Sequence, residues 1–211
     1  MGTYKALICD LDGVICSTDR YHYLAWKKIS DELNIPFDEK LNDKIRGLDR
    51  IESLNNILSA NNKHISEEKK EYYAEKKNSI YRMYLEGLSE TDLYAGVMDT
   101  LNSVRSRGKK IAVASSSKNA MLIIKKLSLT DYFDAIVDGN DIVHSKPDPE
   151  IFIKISQRLV VIPKECLVAE DSEAGIIAAH FAGMDCASIG GMENKLAKYN
   201  LKSFKDLSKI I

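Results

Sequence analysis

Two carboxylates, Asp10 and Asp12, stand directly after a four-residue apolar run, Ala6-Leu7-Ile8-Cys9, and are followed by Gly13 and Val14. A short apolar run bounded by acid and glycine suits a strand buried on both faces. In open parallel sheets ligands gather beyond the carboxyl ends of such strands, which is where both aspartates fall. Gly13 lets the chain turn sharply and brings backbone N–H groups close to an anion. Such a pair can hold a cation, attack an electrophile, or do both. The same residues can also simply end a strand in polar side chains.

Three further stretches carry polar groups, two at the ends of strand-like runs and one ahead of a helix. Ser115-Ser116-Ser117, with Lys118 and Asn119, follows Lys110–Ala114; Glu170-Asp171-Ser172 follows Cys166–Ala169; Ser145-Lys146-Pro147 precedes a helical stretch. The chemistry that needs this set is phosphoryl transfer through an aspartyl-phosphate. A carboxylate attacks phosphorus, and the approaching dianion must be neutralised, which calls for Mg²⁺ on hard oxygen ligands. Asp171 and Glu170 offer such oxygens beside Asp10. Ser115 and the N–H groups after it suit phosphate oxygens, and Lys146 balances charge as a point cation. Asp12 can give a proton to the leaving oxygen and take one from the next attacker. Each group also has a plainer use. The serines can cap a helix from Asn119, Glu170-Asp171-Ser172 can cap one from Ala174, and Lys146 can be an exposed lysine.

The elements that must position these residues alternate strand and helix from Leu93 onward. Helices are expected over Asp99–Arg107, Asn119–Leu127, Pro149–Leu159 and Ala174–Ala182, and strands over Lys110–Ala114, Ala135–Val137, Cys166–Ala169 and Cys186–Ile189. A short last strand or turn and a small amphipathic helix are expected in Leu201–Ile211, with Phe204, Leu207, Ile210 and Ile211 inward. This rhythm implies a Rossmann-like α/β fold with a parallel sheet. Between Asp19 and Gly87 only helical periodicity occurs, in four segments: one carrying Tyr23, Trp26, Ile29 and Leu33, one near Asp38–Ile45, one opened by Asp49, and one opened by Ser66. The expected organisation is a catalytic core over 1–17 and 90–211 with an inserted four-helix cap over 18–89.

Composition narrows the classes. Thirty Lys+Arg against 31 Asp+Glu leave a net charge of −1 in 211 residues, so nothing in the balance points to nucleic acid or an anionic membrane. Cys9, Cys16, Cys166 and Cys186 lack C-x-x-C spacing and read as buried thiols of a reducing compartment. With no apolar span of roughly 18 residues, the expectation is a cytoplasmic protein without a membrane role, working as a monomer.

The residues at the strand ends resemble the four motifs of the haloacid dehalogenase superfamily of phosphotransferases. Asp10-Leu11-Asp12-Gly13-Val14 is similar to its first motif, Ser115 to its second, Lys146 to its third, and Glu170-Asp171-Ser172-Glu173-Ala174-Gly175 to its fourth. The helical insertion resembles its small four-helix cap. Tyr21-His22, Ala25-Trp26-Lys27, Arg46-Gly47-Leu48-Asp49-Arg50, Ser53 and Lys76-Lys77-Asn78 further resemble the sugar phosphomutases of that superfamily, which interconvert β-glucose 1-phosphate and glucose 6-phosphate through a bisphosphate. The resemblance implies that Asp10 is the nucleophile and Asp12 the general acid/base. It implies Mg²⁺ held by Asp10, the Asp12 carbonyl, Glu170 and Asp171. Ser115, Ser116 and Lys146 would bind the transferring phosphate, and Arg50 with Ser117, Lys118 and Asn119 the other one. Thr18 and His22 would lie at the hinge, while Trp26, Gly47, Ser53, Lys77 and Asn78 complete the substrate side. A phosphatase of sugar phosphates on the same scaffold is the rival reading, and a phospho-receiver signalling module a remoter one. Against the receiver stand the cap-sized insertion and the position of the acceptor aspartate after the first strand.

Overall fold

The computed structural model describes residues 4–46 and 48–211. Gly47, expected above on the substrate side, lies outside the described residues. The chain divides into two compact units, one formed by the segment ending at Ser17 together with Leu88–Ile211, the other by Thr18–Gly87.

In the first unit six strands, β1 (Ala6–Cys9), β2 (Lys110–Ala114), β3 (Ala135–Val137), β4 (Cys166–Glu170), β5 (Asp185–Ser188) and β6 (Tyr199–Asn200), form one sheet in the order β3-β2-β1-β4-β5-β6. Every neighbouring pair is parallel. β1 lies between β2 and β4 and is fully buried, which is why its sequence is apolar without alternation. Cys9 is level with Val113 and with Ala169. The Asp10 N–H carries the ladder one step further to the Ala169 carbonyl at 2.9 Å. The register therefore sets Asp10 beside the last residues of β2 and β4, Ala114 and Glu170.

The second unit is helical: α1 (Asp19–Glu32), α2 (Glu39–Ile45), α3 (Arg50–Ala60) and α4 (Glu67–Leu85). The last three of these start where short polar side chains take up free N–H groups. Asp38 accepts from Leu41 N, Asp49 from Glu52 N and Ser66 from Lys69 N, each cap contributing about 1 kcal/mol. α4 packs on α1 and α3 and buries Ala74, Ile80, Tyr81 and Leu85, together with one cation, Lys77.

The sheet is covered by α5 (Val97–Ser106), α6 (Ala120–Lys126), α7 (Glu150–Leu159) and α8 (Glu173–Phe181). Ala6, Ile8, Ala112, Ala114 and Val168 share a core with Ile151, Phe152 and Ile155 of α7 and with Ile176 and Ala179 of α8. Strand alternation turns Leu7 and Cys9 to the opposite face. α5 packs against β2 and against a C-terminal 3₁₀ turn, Phe204–Lys209. Two expectations need correction. α5 begins at Val97 instead of Asp99, because Gly96 at φ +82° turns the chain into the helix earlier. The last segment is a 3₁₀ turn and not an amphipathic α-helix; it ends at Lys209, so Ile210 is only half-buried while Phe204, Leu207 and Ile211 point inward.

Candidate active site

At the carboxyl end of β1 the Lys146 ammonium binds Asp10 Oδ1. It also donates to the Ala114 carbonyl at 3.2 Å and to Glu170 Oε1 at 3.4 Å. Burial alone would lower the pKa of Lys146, but Asp10 and Glu170 outweigh it and hold the lysine above its ordinary value. Carboxylate oxygens of Asp10, Glu170 and Asp171 lie within 4.8 Å of one another. Burial, then the charge of Asp10, pushes Glu170 up to about 8 despite Lys146 and Ser172. Three carboxylates around one ammonium are an excess of negative charge, and among the described residues Glu170 Oε2 is buried with no hydrogen-bond partner. Hard oxygen donors, surplus charge and an orphaned oxygen fit a divalent cation such as Mg²⁺.

Two glycines make room for this cluster. At Gly13, φ +88°, an added Cβ would fall 1.9 Å from Asp171 Oδ2; at Gly175 it would fall 1.6 Å from Glu170 Oε1. Ser172 resolves the double reading of Glu170-Asp171-Ser172. Its Oγ accepts from Gly175 N at 3.1 Å as the cap of α8, and donates to Glu170 Oε1 at 2.6 Å. The serine is the cap, and through it the helix start orients the glutamate.

Beyond β2, Ser115 is 3% exposed and accepts at Oγ from Ser117 N, while Ser117 Oγ accepts from Asn119 N, both at 3.2 Å. These serines tie down the turn that leads into α6 without capping the helix, whose N-cap position is Asn119, and each hydroxyl keeps a proton to donate. The loop is pinned from behind: Gly139 N donates to the Ser117 carbonyl and Asn140 Nδ2 to the Lys118 carbonyl. A Cβ at Gly139 would meet the Ser116 carbonyl at 2.3 Å. After Asp12 the chain doubles back, Gly13 N donating to the Cys16 carbonyl at 2.7 Å.

The remaining candidates lie in the helical unit, in separate groups. His22 Nδ1 is 2.7 Å from Lys77 Nζ, and the Lys77 ammonium sits 5.0 Å from the ring centres of both Trp26 and Tyr81. Because lysine only donates, Nδ1 must accept and the imidazole proton resides on Nε2. Desolvation, then the Lys77 charge, holds the His22 pKa well below the ordinary value. Trp26 and Lys77 are 3% and 2% exposed. Thr18 Oγ1 lies 2.8 Å from the Tyr81 hydroxyl. Arg50 pairs with Glu75 at 3.1 Å, and Asn78 Nδ2 donates to the same carboxylate at 3.4 Å. Ser53 is buried and donates to the Leu48 carbonyl. Glu75, Tyr81 and the bridging role of Ser172 escaped sequence reasoning. Glu75 and Asn78 share a helix face three residues apart, but the Arg50 partnership is tertiary and leaves no local trace.

The chain matches the haloacid dehalogenase-like hydrolase family over residues 7–189. It is 42% identical to the β-phosphoglucomutase of Bacillus subtilis over 88% of this chain and 83% of that protein. The chain belongs to the haloacid dehalogenase-like hydrolase family. Within it, a crystal structure of β-phosphoglucomutase from Clostridium difficile superimposes with a TM-score of 0.88 at 39% identity, covering 97% of this chain and 93% of that one. A phosphorylated carbohydrates phosphatase of Thermotoga maritima is 34% identical over 86% of this chain and 82% of its own. The resemblance read from the motifs, to the superfamily and to its sugar phosphomutases, is borne out, as are the α/β fold and the expectation of an enzyme.

Proposed function

We propose that this chain is a Mg²⁺-dependent phosphomutase that interconverts β-glucose 1-phosphate and glucose 6-phosphate through an aspartyl-phosphate and β-glucose 1,6-bisphosphate. The observation that carries the chemistry is the buried meeting of Asp10, Lys146, Glu170 and Asp171 at one sheet edge. Identity to β-phosphoglucomutases across nearly the whole chain favours the mutase over the phosphatase. Phosphatase relatives at lower identity keep hydrolysis of a sugar phosphate as the second reading.

In the proposed cycle Asp10 carries the phosphoryl group and Asp12 takes the proton from the C6 hydroxyl as it attacks phosphorus. Once the bisphosphate has reoriented, Asp10 attacks the phosphate on C1 and Asp12 returns the proton to the departing oxygen. Lys146 balances the charge on Asp10 and the transferring group, while Ser115 and Ser116 hold its oxygens. Mg²⁺, bound by Asp10, the Asp12 carbonyl, Glu170 and Asp171, would supply charge neutralisation for the transferring phosphate. Arg50, with Ser117, Lys118 and Asn119, holds the phosphate that is not reacting, Arg50 offering a bidentate fork. His22 and Thr18 serve the hinge, and Lys77, Trp26, Gly47, Ser53 and Asn78 the sugar side. The protein acts in the cytoplasm as a monomer on a small sugar phosphate, with no nucleic-acid or membrane partner. The test is incubation with Mg²⁺, β-glucose 1-phosphate and a trace of bisphosphate, following glucose 6-phosphate and inorganic phosphate separately. Isomerisation outrunning phosphate release is expected, and abolished in Asp10→Asn; phosphate release without isomerisation overturns the mutase reading.

A further inference from the structure

Lys146 reaches Asp10 from a loop that has no regular structure between Val137, where β3 ends, and Glu150, where α7 begins. What fixes that loop is a set of side chains on α7. The Glu150 carboxylate accepts from Val143 N at 3.1 Å through both oxygens and from His144 N at 2.8 Å. Lys154, one turn on, binds Glu150 Oε1 at 2.5 Å and the Asp141 carbonyl at 2.6 Å. Arg158, a further turn on, donates to the Asp141 carboxylate at 2.6 and 3.2 Å and to the Ile136 carbonyl. Residues four apart share a helix face, so one face of α7 clasps the loop up to His144, two residues short of the catalytic lysine. Asp148 completes the clasp by accepting from Glu150 N at 2.9 Å.

The same neighbourhood has a second possible reading, since His144, Asp148 and Glu150 lie close enough to hold a metal ion. Both Glu150 oxygens already receive backbone N–H bonds, and Asp148 Oδ1 serves the start of α7. The group is occupied in holding backbone.

We propose that Glu150 is a positioning residue for the phosphoryl-transfer reaction, acting through Lys146 by fixing the two N–H groups that lead into it. The inference rests on the reading of Lys146 as the cation of the transferring phosphate. Lys154 and the two N–H groups hold the Glu150 carboxyl down to about 2, so the clasp stays ionised throughout the neutral range. A lysine on an unclasped loop would still be present but out of register, and a misplacement of about 1 Å costs on the order of 10²-fold in rate.

The experiment is a double-mutant cycle on the full chain with Mg²⁺, reading kcat/KM for p-nitrophenyl phosphate hydrolysis and the thermal midpoint. Glu150→Gln, which keeps the volume and one acceptor, and Glu150→Ala are each combined with Lys146→Met. Expected are a loss of roughly 10- to 100-fold for Glu150→Gln in the native background and no further loss once Lys146 is gone. The midpoints set the assay temperature, and all rates are read well below the lowest of them, so that every variant is compared in its folded state. A Glu150→Gln rate equal to that of the parent overturns the proposal, and so does an equal loss in both backgrounds, since a merely structural role would be additive. If Lys146→Met by itself leaves turnover unchanged, the reading of Lys146 falls, and the positioning claim with it.

Discussion

Asp12 and Glu75 bring the proposed chemistry to a test at single side chains. If Asp12 carries the proton, Asp12→Ala lowers kcat for β-glucose 1-phosphate by about 10²–10⁴-fold. Phosphoryl transfer from an aryl phosphate to Asp10, whose leaving group needs no proton, falls much less, so a pre-steady-state burst of phenolate should persist while steady-state turnover falls, because water attacking the aspartyl-phosphate needs the same base. Arg50 reaches Glu75 on the surface of the helical unit, where an exposed pair is worth about 0–1 kcal/mol. A substrate phosphate recruiting Arg50 must displace that carboxylate. Glu75→Gln should therefore lower KM for the sugar phosphate by up to about fivefold and leave the aryl phosphate unchanged; an unchanged sugar KM would argue against Arg50 as a phosphate ligand. Asp10, Glu170 and Asp171 were legible because residue type and strand-end position coincide, and Lys146 because a lysine before proline stands just ahead of a helix. The links Ser172 to Glu170 and Arg50 to Glu75 were not, because one hydroxyl does two jobs and a tertiary ion pair has no fixed spacing.

Elements were read well wherever period and punctuation agreed. Ala6–Cys9, Lys110–Ala114 and Ala135–Val137 fall as expected, since buried strands are apolar runs between polar stops. Boundaries slipped where a backbone conformation decided them, as at Gly96, whose left-handed φ lies below the resolution of hydrophobic patterning. The C-terminal turn slipped because apolar spacing alone does not separate a 3₁₀ turn from a short α-helix. Within the helical unit α3 contributes Leu54, Ile57 and Leu58 to the interior. Ile57 is fully buried, so Ile57→Ala leaves a cavity and should cost about 2–5 kcal/mol. Amide hydrogen exchange should report the loss over 18–87, with the strands of the sheet protected as before.

Across the molecule, stability should follow pH and Mg²⁺ in defined directions. His22 keeps its pKa well below 6.5 in the folded state, whereas an unfolded chain takes up that proton near 6.5. Below that pH the unfolded state binds more protons, so stability falls as pH falls. The thermal midpoint of His22→Gln should drop less between pH 7.5 and 5.5 than that of the parent. Mg²⁺ should raise the midpoint, adding about 2.7 kcal/mol at a hundred times its dissociation constant, and Asp171→Asn should remove most of that gain. The pairing of Ala6 with Lys110 on one side and Cys166 on the other has a consequence for synthesis. At about 5–20 residues per second the ribosome releases β1 on the order of ten seconds before its second neighbour exists. The helices of Thr18–Gly87, built from local contacts, can form in that interval, while β1 waits as a bare apolar tetrapeptide. Lys5 and Asp10 bracket it with a charge at each end, and a charge beside an apolar segment interrupts the uncharged run that self-association needs. Asp10→Asn should therefore make the unfolded chain more prone to aggregate on refolding, as light scattering during dilution from denaturant would read.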